Sequence, residues 1–294
     1  MSKLLILGAS SSVGSHLYSR LGPERAIGTF NSKPVPGGRR FDSLSMRLNQ
    51  VVERGEARHA AVLLADPQPD SCLKDPEKSR RLNVTAMMAL LEQCWELGIV
   101  PIFASTEFVF DGAKGDYIES DRADPILLYG QQKKEIEDFL AASGRPYCCF
   151  RLAKVYGDRP GDGTLFTAWA SQLAGGTRHF RCAVDQRFSP VFVGDVGETI
   201  LRMADRDLRG VYHLSGNQAF SRIDLLRRTV AAFAARRPVE VEIEACSIDD
   251  FPLPEPRPKD VSMRADALAR ATGFRFADVD AQIAQIVDAV IAAL

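Results

Sequence analysis

The sequence predicts an α/β protein in which a parallel sheet of about seven strands is covered on both faces by helices. Three observations predict it. Short apolar runs alternate with longer stretches of helical periodicity, the pattern of βαβ units. The first run meets a glycine-bearing turn at residues 8–14, where the start of a helix can face an anion. Beyond residue 156 the alternation loosens into glycine- and proline-bearing loops, which suits a smaller C-terminal appendage.

The elements follow in chain order. Residues 4–7 (LLIL) are a continuous apolar run, as a strand buried on both faces requires, and Val13, Leu17 and Leu21 then recur at helical spacing until Gly22-Pro23. A strand at 26–30, a helix at 44–54, a strand at 60–65, a helix at 77–97 and a strand at 100–104 continue the alternation. A helix at 131–142, a strand at 147–152, a helix around 196–204 and a strand at 210–215 complete the main unit. Ile283, Ile286, Val287, Val290, Ile291 and Leu294 share one stripe, so a docked amphipathic helix ends the pattern. The expected division is a main domain of 1–156 plus 188–216 and a smaller one of 157–187 plus 217–294.

Charge is balanced, with 37 Lys and Arg against 38 Asp and Glu, which removes any bulk attraction to nucleic acid or an acidic membrane. The six cysteines lack zinc-type spacing and several lie in apolar stretches, so they read as reduced, mostly buried thiols of a cytoplasmic protein. The apolar run near Met1 is too short for a signal segment, and no run approaches membrane-spanning length. His16, His59 and His179 form no motif, which points away from a zinc site or a histidine-based hydrolase; no metal ligand set is expected. His213, flanked by apolar residues, reads as a core histidine.

The turn Gly8-Ala9-Ser10-Ser11-Ser12-Val13-Gly14 lies between the first strand and the first helix, where backbone amides can be aimed at a pyrophosphate. Gly8 permits the tight turn and Gly14 the close approach of helix to strand; Ser10, Ser12 and Val13 line the turn. Ser11 stands where a third glycine is common, and its hydroxyl can bond phosphate. A carboxylate after the second strand would mark a free ribose, but the ionisable residues of 26–41 are Lys33, Arg39 and Arg40. Such cations neutralise a 2′-phosphate, which predicts NADP(H), with Lys33 as its partner beside Asn31 and either Arg39 or Arg40 in support. Asp42 is placed to accept a hydrogen bond from the adenine amino group.

Tyr129 and Lys133 are four apart at the start of a predicted helix, so both side chains leave one face. A phenol titrates near ~10, and a neighbouring ammonium favours its ionised form, so that Tyr129 can pass a proton to a carbonyl oxygen as hydride arrives from a nicotinamide. Ser105 and Thr106 follow a buried strand at the carboxyl edge, where a hydroxyl can bond a developing alkoxide.

With these residues in place, the chain resembles the extended short-chain dehydrogenases/reductases of Rossmann fold, and within them the dTDP-4-dehydrorhamnose reductase group. The carriers are the turn at 8–14, Asn83 in RRLNVTAM, STEFVFDG, YIESDRADP before YGQQK, RLAKVYG, DQRFSPVFVGDV, GVYHLSG and RPKDVSM. The resemblance implies that Thr106 is the catalytic hydroxyl, Tyr129 the proton donor and Lys133 its ribose-binding, charge-supplying partner. It places Ala65 beside the cofactor, Ser105 and Glu107 beside the substrate, and implies a dinucleotide-binding main domain with a substrate-binding appendage. Arg187 and Arg257 suit a substrate diphosphate. Three departures stand out: Glu107-Phe108 for the usual Asp-Tyr, Gln132 for serine, and Ala65-Asp66-Pro67 for Asn-Ala-Ala; Asp66 has no explanation in the sequence. The implied activity is NADPH-dependent reduction of a nucleotide-linked 4-keto-6-deoxy sugar. Its alternatives are a nucleotide-sugar epimerase or dehydratase, or a non-catalytic NADP-binding regulatory subunit like the β subunit of methionine adenosyltransferase. The apolar helices around 84–95 and 136–140 offer faces for a homodimer.

Overall fold

In the computed structural model, which describes residues 3–293, the strands β1 (Lys3–Leu7), β2 (Ala26–Phe30), β3 (Arg39–Arg40), β4 (Ala57–Val62), β5 (Val100–Thr106) and β6 (Cys148–Leu152) lie in one sheet. Two further strands, β7 (His179–Ala183) and β9 (Glu242–Cys246), pair with each other outside it. The strand between them in sequence, β8 (Gly210–Leu214), completes a seven-stranded parallel sheet of order β8-β6-β5-β4-β1-β2-β3. The order reverses between β1 and β4, which opens a crevice at the carboxyl ends of those strands.

Alternation along β1 divides the core. Leu4 and Ile6 face α1 (Ser12–Arg25), whereas Leu5 and Leu7 face the opposite side. There they meet the helical stretch α3 (Pro76–Arg80), a π-type turn Arg81–Ala86 and α4 (Met87–Glu96), together with α5 (Leu128–Ala142). The short α2 (Pro69–Lys74) precedes them. A second core, built on Tyr156, Phe166, Trp169, Ile223, Phe233 and Ile286, joins α6 (Leu165–Ala174), α8 (Arg222–Ala234) and α10 (Val279–Ala292). α7 (Val193–Asp205) packs on α1, and α9 (Asp266–Thr272) on β8. The second core thus draws on both segments of the expected appendage, while Met263, Ala265, Leu268 and Phe276 return to the sheet's core.

Several expectations are corrected. Residues 44–54 form only the 3₁₀ turn Leu48–Gln50, because side chains take the amides a helix would use. Asp42 accepts from Leu44 N at 3.0 Å, Gln50 from Arg47 N at 2.8 Å, and Gln93 from Leu48 N at 2.7 Å. The first helix is interrupted at Gly22, at φ 68°, as Gly22-Pro23 leads one to expect, and a further short helical turn runs on to Arg25. The strand expected at 60–65 ends at Val62. Of the terminal stripe, Leu294 lies outside the described residues. On the helices expected to offer pairing faces, Val84, Leu90, Leu91, Cys94, Ile136 and Leu140 are buried within the chain, whereas Met88, Trp95 and Phe139 are only partly buried. No helix among the described residues is long and apolar enough to cross a membrane.

One polar cluster fastens α5 to the sheet. The side chains of Arg151 and Glu137, 7% and 5% exposed, pair at 2.8 Å, and Ser105 donates its hydroxyl to Glu137 at 2.5 Å. Arg151 also meets His213 Nε2 at 3.3 Å, and His213 Nδ1 approaches the Tyr117 carbonyl at 3.1 Å. Burial, then the Arg151 charge, pushes His213 down to about 3, which keeps it neutral as a core residue. Arg151→Met leaves Glu137 buried and unpaired, so a stability loss of about 3–5 kcal/mol is expected in urea unfolding. A loss under about 1 kcal/mol, the size of a surface pair, contradicts that reading.

Candidate active site

The phosphate turn is built from backbone. Gly8 adopts φ +96°, and a Cβ on Gly14 would stand 2.1 Å from the Gly8 carbonyl oxygen, so neither position takes a side chain without moving the main chain. The Ser11 hydroxyl accepts from Gly14 N at 3.1 Å as the N-cap of α1, which explains a serine where a third glycine is common. Ser10 and Ser12 line a cavity of ≈ 220 Å³ together with His16 of α1 and with Asp158 and Arg159 of the loop after β6. Val13 follows in the first turn of α1. Among the sequence-predicted anion partners, Asn31 and Lys33 are exposed beyond β2, as is Arg40. Arg39 is not available: its guanidinium is held by both oxygens of Glu56, at 2.9 and 3.0 Å. Asp42 uses its carboxylate in its own turn, on Leu44 N and the Ser45 hydroxyl. Gly14→Ala is therefore expected to abolish tight NADPH binding in a fluorescence titration, and an unchanged affinity contradicts the cradle described here.

Beyond β4, Ala65 is half-buried and Asp66 explains itself structurally. Its Oδ1 accepts from Gln68 N at 3.2 Å and its Oδ2 from the Ser71 hydroxyl at 2.6 Å, which shapes the entry to α2. Asn83, at the π-type turn, bonds both the Asp66 amide and carbonyl, and donates to Gln132 Oε1 at 2.8 Å. Gln132 in turn donates to the Ser79 hydroxyl at 2.8 Å. The glutamine that replaces serine is thus a buried tie between α5 and the helices beside it.

Tyr129 and Lys133 leave the same face of α5 and are both buried. The Thr106 hydroxyl, at the end of β5, is placed to favour the ionised Tyr129 phenol and accepts from Phe108 N at 3.3 Å. Burial raises the phenol, and the nearby Cys72 thiol adds to that. Lys133 donates from Nζ to the Ala104 carbonyl at 2.7 Å and lies 5.9 Å from the centre of the Tyr129 ring. Burial brings its ammonium down to about 8. Gly130, between them, lets α5 close on the turn after β5, because a Cβ there would stand 2.0 Å from the Phe108 carbonyl oxygen.

Of the expected substrate contacts, Ser105 faces the Glu137–Arg151 pair, and its hydroxyl is engaged there. Arg187 leans on Asp260 at 3.5 Å, and Arg257 is ion-paired with Asp70. Glu107, 4% exposed, keeps Oε2 without a partner among the described residues. Burial holds its carboxyl well above the usual carboxylate range, against the pull of Lys154. Lys154 and Arg222, which the sequence reading missed, line a cavity of ≈ 340 Å³ with Trp169 and Thr164. Lys154 had a usable signal, since it follows β6 at the carboxyl edge. Arg222 had none, because it reaches the cavity from a helix far along the chain.

Comparison with known proteins finds relatives along nearly the whole chain. The family described as "RmlD substrate binding domain" matches residues 2–291. A dTDP-4-dehydrorhamnose reductase of Mycobacterium tuberculosis is 28% identical over 288 residues, covering 93% of this chain and 89% of that protein. Methionine adenosyltransferase 2 subunit beta of Xenopus tropicalis is 26% identical, over 79% of this chain and 72% of its own. The fold is shared with a dTDP-4-dehydrorhamnose reductase of Bacillus anthracis solved in complex with NADP, at a TM-score of 0.82 and 22% identity, covering 97% of this chain and 99% of that one.

Proposed function

The chain belongs to the RmlD substrate binding domain family, and on that premise we propose that it is an NADPH-dependent ketoreductase acting on a nucleotide-linked 4-keto-6-deoxy sugar. The observation that carries the reading is the buried set Thr106, Tyr129 and Lys133 at the carboxyl edge of β5. Similar proteins with the reductase name span most of the chain. The backbone cradle at Gly8 and Gly14 fits a dinucleotide pyrophosphate, with Lys33 and Arg40 free to meet a 2′-phosphate.

When bound, NADPH supplies the hydride. The protein's own contribution is the proton. Burial keeps the Tyr129 phenol protonated, as a donor to a ketone oxygen must be, and Thr106 orients both the phenol and that oxygen. Lys133, held on the Ala104 carbonyl, supplies positive charge as the phenolate forms and can hold the cofactor ribose. Lys154 and Arg222 take the diphosphate role first expected of Arg187 and Arg257. Burial lowers Arg222, offset by the Cys182 thiol; its guanidinium donates to Gln186 Oε1 at 3.2 Å and has no carboxylate partner among the described residues, which leaves its charge open to an anion. The five buried thiols, with Cys246 half-buried, suit a reducing compartment such as the cytoplasm.

NADPH absorbance followed against a panel of nucleotide 4-keto sugars tests the assignment. Tyr129→Phe is expected to keep cofactor affinity and lose turnover by about 10²-fold or more; equal rates remove Tyr129 from the chemistry. Lys133 is charged below about 8 and loses its proton as pH rises through that value. Reduction is therefore expected to slow on the alkaline side, and a rate that stays level well above that pH counts against an ammonium role. Absence of NADPH consumption with every keto sugar, together with recovery of a methionine adenosyltransferase as a bound partner, favours the regulatory alternative suggested by the Xenopus likeness.

A further inference from the structure

The stretch Phe251-Pro252-Leu253-Pro254-Glu255-Pro256-Arg257 runs as an extended strap from the second core to the catalytic helix. Pro252, Pro254 and Pro256 face solvent, whereas Leu253, Glu255 and Arg257 are the less exposed alternates. Prolines need no amide partner, so a strap of this composition is stiff without being paired as a strand. Arg257 is ion-paired with Asp70 of α2. Glu255 Oε1 accepts from Leu128 N at 2.9 Å.

That second contact falls at a position α5 leaves open. Its N-cap, Leu127, offers no side-chain acceptor, and its first turn holds no acidic residue. The first amides of a helix need such a partner. Further along, α5 is fixed by Lys133 on Ala104 O and by Glu137 on Arg151. Its first turn, which carries Tyr129 directly after Leu128, receives its side-chain cap from Glu255 instead. The second oxygen of that carboxylate is buried without a partner among the described residues, so the group sits there for more than solvent contact.

We propose that Glu255 is a positioning residue for Tyr129, capping the catalytic helix from the strap and so coupling the order of the second core to the placement of the phenol. As an account of catalysis this rests on the reductase reading above; as an account of the helix it does not. Two measurements on the full chain therefore test it, namely amide hydrogen exchange of the protein and steady-state kinetics with NADPH and the keto sugar.

In Glu255→Ala, exchange at residues 128–130 is expected to rise about fivefold, the scale of a lost cap, with 133–142 unchanged. kcat is expected to fall about tenfold while the KM for NADPH holds, because the phenol is displaced and the cofactor cradle is not. Glu255→Gln, which keeps an acceptor for Leu128 N, is expected to restore both. Arg257→Ala, which frees the strap while retaining Glu255, is expected to move both in the same direction more weakly, and decides the matter if the alanine variant at 255 does not fold. Unchanged exchange at 128–130, an unchanged kcat in the folded variant, or a glutamine variant as impaired as the alanine one each overturns the proposal. Should the wild type consume no NADPH, the reductase reading fails and the exchange arm still decides the cap.

Discussion

The site depends on a buried ion pair. Arg151 on β6 and Glu137 on α5 are withdrawn from water together, and Ser105 on β5 fills a further acceptor position of the carboxylate. Such a pair contributes little net free energy against apolar side chains of the same volume, but it tolerates only a narrow geometry, since either charge left alone is costly. Its consequence is register. Tyr129, Lys133 and Glu137 follow at four-residue spacing, so locking the third to the sheet points the first two at the end of β5.

The surrounding polar groups extend the same constraint. Gln132, one residue from Lys133, ties α5 to Asn83 and Ser79, and Asn83 holds the backbone at Asp66 beside the cofactor crevice. The π-type turn at Arg81–Ala86 is where that asparagine enters the network. The departures from the family pattern are thus compensated locally: where a serine is replaced, a longer amide reaches a new partner, and Asp66 closes its own turn.

Burial also sets the chemistry. In the low-dielectric cleft the phenol is kept protonated and the ammonium is brought toward neutrality. The two shifts move apart, so burial favours the neutral form of each group and keeps the proton on the phenol until a ketone oxygen takes it. A carboxyl at Glu107, raised by the same burial, avoids placing a full negative charge beside the phenol.

Much of the fold was legible in the sequence, because the periodicities of two and about 3.6 that mark strands and helices are local. The phosphate turn and the Tyr129–Lys133 spacing were legible for the same reason, each lying within one turn of chain. What failed was longer in range. Residues 44–54 carry apolar spacing compatible with a helix, but Gln93 and Asp42 claimed their amides. Arg39 has the character of an anion partner, but Glu56 holds its guanidinium, as Asp70 holds that of Arg257. The sequence by itself determined which segments alternate as strands and helices and which residues could do proton chemistry. Only the tertiary structure decided which charges were already satisfied, because an ion pair between distant residues leaves no periodic trace in the chain.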